Sequence, residues 1–131
     1  MWPRVDGIRA LELGTPGEMR AWLNGLVLQG RKRATAGLWS EYADEGEEVE
    51  HVGERLAVLD DTGRPVTTVR VTHVDVMPFG EVPWEFAVAE GEGDTDIEEW
   101  RQGHRRFWAA AGTPVDEETP VVCLRFEVVA D

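Results

Sequence analysis

The stretch from residue 55 to residue 76 constrains the fold most strongly, because it holds a complete strand-turn-strand pattern. Arg55 to Leu59 is an apolar run that predicts a strand. Asp60-Asp61-Thr62-Gly63 has the composition of a hairpin turn, and Pro65 to Val76 predicts a long return strand. The two strands are therefore expected to pair antiparallel.

The long return strand changes its apolar face part-way along. Val69 and Val71 lie on one parity, whereas Val74 and Val76 lie on the other, so the switch falls near Thr72-His73. A β-bulge or sharp coil at that point would produce this pattern. A bend of this kind is what a small closed barrel needs.

An amphipathic helix is predicted after residue 15. Thr15-Pro16-Gly17-Glu18 combines an N-cap Thr15, a proline at the first helical position and a glutamate three residues after the cap. Gly30 stands where a left-handed residue would end the helix. Between them one apolar stripe recurs at helical spacing, formed by Met19, Trp22, Leu23, Leu26 and Val27.

Two further helices are predicted after the hairpin. The first runs from Pro83 to Glu90 and ends at Gly91, and the second opens with a Thr95-x-x-Glu98 capping box. The second has a buried stripe of Ile97, Trp100, His104, Phe107, Trp108 and Ala111, with Arg101 and Arg105 one turn apart on an adjacent face.

Short strands are predicted on both sides of these elements, from Ala34 to Trp39 and from Val121 to Val129. Residues 10 to 13 are too few to classify. The order helix, strand, hairpin, helix, helix, strand is typical of the α+β class. A chain of 131 residues fits a single domain, 1–131.

Composition limits the partners. The net charge of −13 disfavours binding to long duplex DNA. Two local basic clusters remain, Arg31-Lys32-Arg33 and Arg101 with His104-Arg105-Arg106. No apolar run suits a membrane span or a secretion signal, so a cytoplasmic protein without membrane contact is expected. Acidic residues are dense from Glu41 to Glu54, which predicts a solvated, mobile loop. The alternative is that this loop acts as a lid or mimics a phosphate group.

Lys32 is the only lysine among 13 basic residues, and it lies just after the predicted end of the first helix, in Gly30-Arg31-Lys32-Arg33-Ala34-Thr35. Lysine loses its proton when buried or placed beside other cations and then acts as a base or nucleophile, whereas arginine stays charged. A solitary lysine kept by chance in a turn is the alternative.

Other catalytic classes have little support. Ser40 is the only serine and is not in a Gly-x-Ser-x-Gly elbow, and the chain has neither a P-loop nor a Gly-x-Gly-x-x-Gly motif. His51, His73 and His104 lack zinc-ligand spacing, so no metal or other cofactor is predicted. His104, on an apolar stripe, is expected to be a partly buried histidine whose hydrogen bonds are satisfied.

The remaining candidates for catalysis are Lys32, Thr35 and the Glu90-Gly91-Glu92-Gly93-Asp94 segment. An amine can take a proton from a threonine hydroxyl, and a carboxylate can assist that proton transfer.

The motif Gly30-x-Lys32-x-x-Thr35 resembles the signature of the ASCH domain, the activating-signal-cointegrator homology family with a PUA-like β-barrel. The segments Pro78 to Val82, Ala87 to Asp94 and Trp100-Arg101-x-x-His104 are similar to a bacterial branch of that family. The likeness covers residues 15 to 129. It implies a small PUA-like barrel of roughly five to six strands, mostly antiparallel, with flanking helices.

The resemblance also implies an RNA- or nucleotide-facing cleft. One small member of the family is an amidohydrolase that removes the acetyl group from acetylcytidine with the Lys and Thr of the signature and a downstream Glu. By position these correspond to Lys32, Thr35 and Glu90. That relative has a tyrosine before the Lys, whereas the only tyrosine here, Tyr42, follows it.

Three functional hypotheses follow. The first is an amidohydrolase acting on an N-acylated nucleoside through Lys32, Thr35 and Glu90. The second is a non-catalytic module for a nucleoside, nucleotide or single-stranded RNA. The third is a metal-assisted ribonuclease using Glu90, Glu92 and Asp94. The residues expected to bind the ligand are Arg31, Arg33, Trp39, Trp84, Glu92, Arg101 and Arg105.

Overall fold

The computed structural model describes residues 1–129, in which a six-stranded sheet is flanked by four α-helices. The strands are β1 (Arg4–Val5), β2 (Ile8–Leu11), β3 (Ala34–Leu38), β4 (Arg55–Leu59), β5 (Pro65–Pro78) and β6 (Pro120–Val128). The helices are α1 (Glu18–Leu28), α2 (Trp39–Glu45), α3 (Trp84–Glu90) and α4 (Ile97–Ala110), with a 3₁₀ turn at Phe79–Glu81. The predicted α+β class is confirmed.

The sheet order is β1-β2-β4-β5-β6-β3. All neighbours are antiparallel except β2 and β4, which run parallel. Within residues 1–129 no ladder joins the two outer strands, β1 and β3, so the sheet is open at these edges. Six mostly antiparallel strands with flanking helices agree with the fold that the family resemblance implied, and the sequence pattern itself predicted four of these strands.

The predicted hairpin and its bend are both confirmed. β4 and β5 pair antiparallel around a turn in which Asp60 accepts hydrogen bonds from the backbone of Thr62 at 2.8 Å and Arg64 at 3.1 Å. The β5–β6 register shifts between Val71 and His73, as the change of apolar parity required.

Because β5 bends and the side chains of β6 alternate between the two faces of the sheet, both strands contribute residues to two hydrophobic cores. Val69 and Val71 belong to the first core, whereas Met77, beyond the bend, packs against the second. Leu124 lies in the first core and Cys123 in the second, because successive strand residues face opposite sides. The first core packs against α1 and the second against α3 and α4, so the cavity described below lies where helices from both layers meet the sheet.

Several local predictions were wrong in detail. α1 starts at Glu18 with Gly17 as its N-cap, and the Thr15 hydroxyl lies 3.7 Å from the Met19 sulfur instead of capping the helix. Trp22, expected in the buried stripe, is half exposed. β3 ends at Leu38, and Trp39 opens α2.

The cap of α4 is shifted by one residue from the predicted position. The Asp96 carboxylate, not Thr95, accepts a hydrogen bond from the backbone of Glu99 at 2.8 Å. Asp96 has the extended backbone of an N-cap, so Ile97 is the first helical residue. The helix itself and its buried Trp100 and Trp108 agree with the prediction.

The prediction of a mobile acidic loop was also wrong. Part of it is α2, and the rest is bound to the amino-terminal strands, where Arg4 pairs with Glu47 at 2.6 Å and Arg9 with Glu54 at 3.1 Å. The sequence interpretation left β1 and β2 unassigned and therefore missed the arginines that neutralise this segment.

None of the helices within residues 1–129 combines the length and apolarity that crossing a membrane requires.

Candidate active site

Lys32 enters the protein interior through the turn that ends α1. Gly30 adopts a left-handed φ of 75°, and the backbone of Arg31 and Lys32 donates to the Leu26 carbonyl at 2.9 and 3.1 Å. The turn leaves Arg31 and Arg33 exposed and directs Lys32 inward, where it is only 2% exposed. The single lysine is therefore a buried cation.

The loop after α3 packs tightly against this turn. Arg33 donates to the Ala89 carbonyl at 2.7 Å, and a Cβ on Gly91 would lie 2.0 Å from the Arg31 carbonyl oxygen. Gly91 also has a φ of 68°. Only glycine allows this approach, which brings two carboxylates to the lysine.

Lys32 Nζ donates to both carboxylates, to Glu90 Oε2 at 2.9 Å and to Glu92 Oε2 at 2.8 Å. Glu90 Oε1 accepts from Trp100 Nε1 at 2.8 Å and lies 3.3 Å from His104 Nε2. Glu90 is 2% exposed, whereas the Glu92 side chain is 17% exposed. These four titratable side chains, Lys32, Glu90, Glu92 and His104, are called the Lys32 cluster below.

The charges of the cluster support one another. Burial alone would lower the pKa of Lys32, but Glu90 and Glu92 outweigh it and raise that pKa. Burial would raise the pKa of Glu90, yet Lys32 and then His104 hold it below its usual range. The pKa of Glu92 is raised by burial, which Lys32 offsets only in part. Lys32 is therefore an ammonium, Glu90 a carboxylate, and Glu92 the carboxyl that is more easily protonated.

The Lys32 cluster lines a cavity of about 560 Å³. Cavities that hold small molecules span about 300 to 1,000 Å³. Its apolar wall includes Trp2, Leu11, Leu13, Met19, Trp22, Leu23, Phe107, Trp108 and Leu124. Its polar lining comprises Glu12, Lys32, Thr35, Glu41, Tyr42, Glu50, Glu90, Glu92, Asp94 and His104.

Thr35 shares this cavity with Lys32. It lies on β3 opposite Leu124 of β6 and is partly exposed. Both Thr35 and Lys32 line the cavity, so a molecule bound there would contact them.

A second buried cluster lies beyond the other end of β3. The Tyr42 hydroxyl donates to Glu50 Oε1 at 2.7 Å, and Arg9 lies 3.8 Å from Glu50 and 3.1 Å from Glu54. Burial, with Glu50 adding to it, raises the pKa of Tyr42 above its usual range. Tyr42 and Glu50 line the same cavity. Arg9, Tyr42, Glu50 and Glu54 are called the Arg9 cluster below.

The structure brings together some of the predicted site residues and separates others. Lys32, Thr35, Glu90 and Glu92 meet in the cavity. Arg31 and Arg33 line a shallow depression of about 480 Å³, which shares Asp94 with the cavity. The exposed Trp39 and Trp84 line neither.

The two predicted arginines of α4 are occupied elsewhere. Arg101 donates to the carbonyls of Gly80 at 3.0 Å and Val82 at 3.2 Å, which fixes the turn before α3. Arg105 lies over the Phe79 ring at 5.4 Å. Neither arginine lines the cavity, because both lie against the 3₁₀ turn instead.

Sequence reasoning missed five polar residues of the cavity lining: Glu12, Glu41, Tyr42, Glu50 and His104. His104 is partly buried and hydrogen-bonded, as predicted. It also contacts Glu90, which was not predicted. Its spacing of four residues from Trp100, which places both on one face of the helix, was the signal that could have indicated this. Tyr42 and Glu50 come from the segment interpreted as a loop. Nothing local marks Glu50 as buried.

In the described part of the chain, no group of three or more His, Cys, Asp or Glu side chains is arranged to hold a metal ion. The Lys32 ammonium already lies between Glu90 and Glu92, in the position that a cation would take.

Comparison with known proteins identifies the family. The family model of the ASCH domain matches residues 10–130. The chain belongs to the ASCH domain family. A search of curated proteins gave no match.

Solved structures agree with this assignment. Protein EF3133 from Enterococcus faecalis aligns with a TM-score of 0.78 and 32% identity over 90% of this chain and 74% of that one. The ASCH domain from Lactobacillus crispatus aligns with a TM-score of 0.78 and 28% identity over 91% of this chain and 77% of that one. Hypothetical protein PH0355 shares the fold alone, with a TM-score of 0.58 and 20% identity over 83% of this chain and 92% of that one. The ASCH fold is PUA-like, as the sequence resemblance implied.

Proposed function

We propose that this ASCH domain binds a nucleoside-sized molecule in its cavity and hydrolyses an N-acyl amide on it. The observation that carries the proposal is the convergence of Lys32, Thr35, Glu90 and Glu92 on one cavity of about 560 Å³. A nucleophile, a basic group and a proton carrier within one partly apolar cavity are the parts that covalent amide hydrolysis needs.

The pairing of Lys32 assigns different roles to the two glutamates. Lys32 is charged at rest, so it must release a proton before it can deprotonate Thr35. Glu92 is the better acceptor because its pKa is raised and it lies 2.8 Å from Nζ. Glu90, with its pKa lowered and both oxygens engaged, holds Lys32 and His104 in place.

The reaction then proceeds in balanced steps. Lys32 passes a proton to Glu92, and the neutral amine takes the hydroxyl proton as Thr35 Oγ1 attacks the amide carbon. The restored ammonium stabilises the oxyanion. The C–N bond breaks, and Glu92 protonates the departing nitrogen. Water, deprotonated by Glu92, then cleaves the threonine ester, which returns Thr35 to its hydroxyl form and releases a carboxylic acid.

The lining of the cavity favours an uncharged ligand. Six carboxyl side chains line the cavity together with Lys32 and His104: Glu12, Glu41, Glu50, Glu90, Glu92 and Asp94. A phosphate placed among them would be repelled. Trp22, Phe107 and Trp108 supply the flat apolar surfaces on which a base packs.

The test is turnover of N-acylated nucleosides, followed as release of the free amine. The Thr35→Val variant keeps the shape of the side chain but removes the nucleophile, and it should lower kcat by about a thousandfold or more. The matched control is Thr67→Val, on β5 outside the cavity, which should retain wild-type turnover. Equal activity in the two variants, or no turnover by the wild type across the panel, would refute the proposal.

The second candidate is a non-catalytic module that binds nucleotides or single-stranded RNA. Arg31 and Arg33 favour it, because they are exposed beside a depression that adjoins the cavity at Asp94. A strand could contact these arginines through its phosphates while one base enters the cavity. Replacing both with alanine should lower the salt slope of RNA binding by about 1.4. Such binding without turnover of any nucleoside would favour this function over hydrolysis.

A further inference from the structure

The ring of His104 lies between two hydrogen-bond acceptors. Its Nδ1 lies 2.9 Å from the Trp100 carbonyl oxygen, and its Nε2 lies 3.3 Å from Glu90 Oε1. A carbonyl oxygen only accepts hydrogen bonds, so Nδ1 carries a hydrogen. In a neutral ring Nε2 would then direct a lone pair at the glutamate.

Glu90 does not supply the missing proton. Its Oε1 accepts from Trp100 Nε1 at 2.8 Å, and its Oε2 accepts from Lys32 Nζ at 2.9 Å. Both oxygens therefore act as acceptors, and a carboxylate is the form that suits them. A lone pair on Nε2 that faced a carboxylate oxygen at 3.3 Å would be repelled, so the contact favours a hydrogen on Nε2, which makes the ring an imidazolium.

The surroundings agree with a charged ring. Glu90 from α3 faces it directly, and Glu92, Asp94 and Lys32 line the same cavity. On its own helix the neighbours are aromatic, with Trp100 stacked at 4.1 Å and Trp108 edge-on at 5.3 Å. Two cations and two ionised glutamates make the Lys32 cluster neutral, whereas a neutral His104 would leave it with one excess negative charge.

We infer that His104 is an imidazolium at neutral pH and a positioning residue, which balances Glu90 and leaves Glu92 free to exchange a proton with Lys32. The charge state stands on the geometry alone. The role in turnover rests on the proposed hydrolase function.

The charge state is tested by NMR of the ¹⁵N-labelled full chain. His51 and His73 are exposed and serve as internal references in the same spectra, which are recorded at about pH 8. At that pH both nitrogens of His104 should still show the shifts of a protonated ring. A neutral ring with hydrogen on Nδ1 alone would overturn the inference, whether or not the protein has catalytic activity.

The positioning role is tested with His104→Gln, whose amide still donates a hydrogen bond but carries no charge. Loss of the cation should raise the pKa of Glu92, so the acid limb of the kcat/KM profile should move to higher pH by about one unit. A purely structural role would lower activity at every pH without moving the limb, and that result would overturn the positioning role. If the wild type has no turnover, the hydrolase function and this role fail, while the NMR result still decides the charge state.

Discussion

The cavity is bordered by two buried charge clusters that differ in their cation. In the Lys32 cluster the cation is lysine, and its carboxylate partners Glu90 and Glu92 both line the cavity. In the Arg9 cluster the cation is arginine, which lies outside the cavity and binds Glu54 and the Glu48 carbonyl. Each contains a buried glutamate with an aromatic donor, Trp100 for Glu90 and Tyr42 for Glu50.

Under the proposed function, the Lys32 cluster carries out chemistry and the arginine of the Arg9 cluster only supports the fold. Arginine keeps its charge, so the Arg9 cluster holds the acidic segment permanently to β2. Lysine exchanges a proton with a neighbouring carboxyl, and Glu92 is accessible from the cavity. Under the proposed function, substitutions in the Lys32 cluster should therefore change turnover, whereas loss of Arg9, which lies outside the cavity, should change stability alone.

The largest expected effect comes from Lys32→Met, which removes the exchangeable proton while keeping most of the volume. Turnover should fall by at least about a thousandfold in a kinetic assay. Lys32→Arg is the matched control for charge. If the cation alone were needed, the arginine variant would retain activity, and the distinction between the clusters would fail.

The next effect concerns the close approach that forms the Lys32 cluster. Gly91→Ala places a methyl group against the Arg31 carbonyl and forces a left-handed alanine, so the free energy of unfolding should fall by about 4 kcal/mol. Urea denaturation measures this change.

Gly93→Ala is the matched control, because Gly93 also has a positive φ, 91°, but open space around its Cβ position. It should cost only about 1 kcal/mol. Equal losses in the two variants would show that the contact with Arg31 contributes nothing.

The sequence predicted the features that depend on neighbouring residues and missed those that depend on residues far apart in the chain. The β4–β5 hairpin, the bulge near His73 and the glycines that end α1 and α3 are local features, and each was predicted. β2 was missed because its pairing with β4 is parallel and joins residues far apart in the chain. Because β2 was not predicted, its Arg9 was not recognised as the residue that pairs with the acidic segment.

In the candidate site, too, some features could be predicted from local sequence and others depend on distant contacts. Lys32 was found because it is the only lysine, and Glu90 and Glu92 because their motif resembles the family pattern. The ionised state of Lys32 was not predictable, since it depends on a loop contact 58 residues away in sequence. The separation of Arg101 and Arg105 from the cavity likewise depends on the carbonyl and ring that occupy them.

A smaller effect is expected from Arg9→Met, which leaves the buried Glu50 and the partly buried Glu54 without their cation. The free energy of unfolding should fall by about 3 kcal/mol, and residues 46–54 should become more sensitive to protease. Turnover per folded molecule should stay at the wild-type level. A thousandfold loss of turnover in this variant would contradict the scaffolding role.

The smallest effect is the pH dependence of the Arg4–Glu47 pair beside the Arg9 cluster. The hydrogen bond from Arg4 lowers the pKa of Glu47 from 4.5 to about 2. Its stabilisation is therefore complete above pH 4.5 and is lost as the pH falls toward 2. The difference in thermal midpoint between wild type and Glu47→Gln should shrink over that interval. A difference that does not change with pH would contradict this assignment.

The central claim is that Thr35, in the cavity of the Lys32 cluster, forms a covalent acyl intermediate. Peptide mass mapping of the wild-type protein, quenched with acid during turnover of an N-acylated nucleoside, tests it directly, because the threonine ester must form in every cycle. The account predicts one added acyl group on the peptide that contains Thr35, and none in Thr35→Val. Turnover by the wild type with a Thr35 peptide that is never acylated would contradict it.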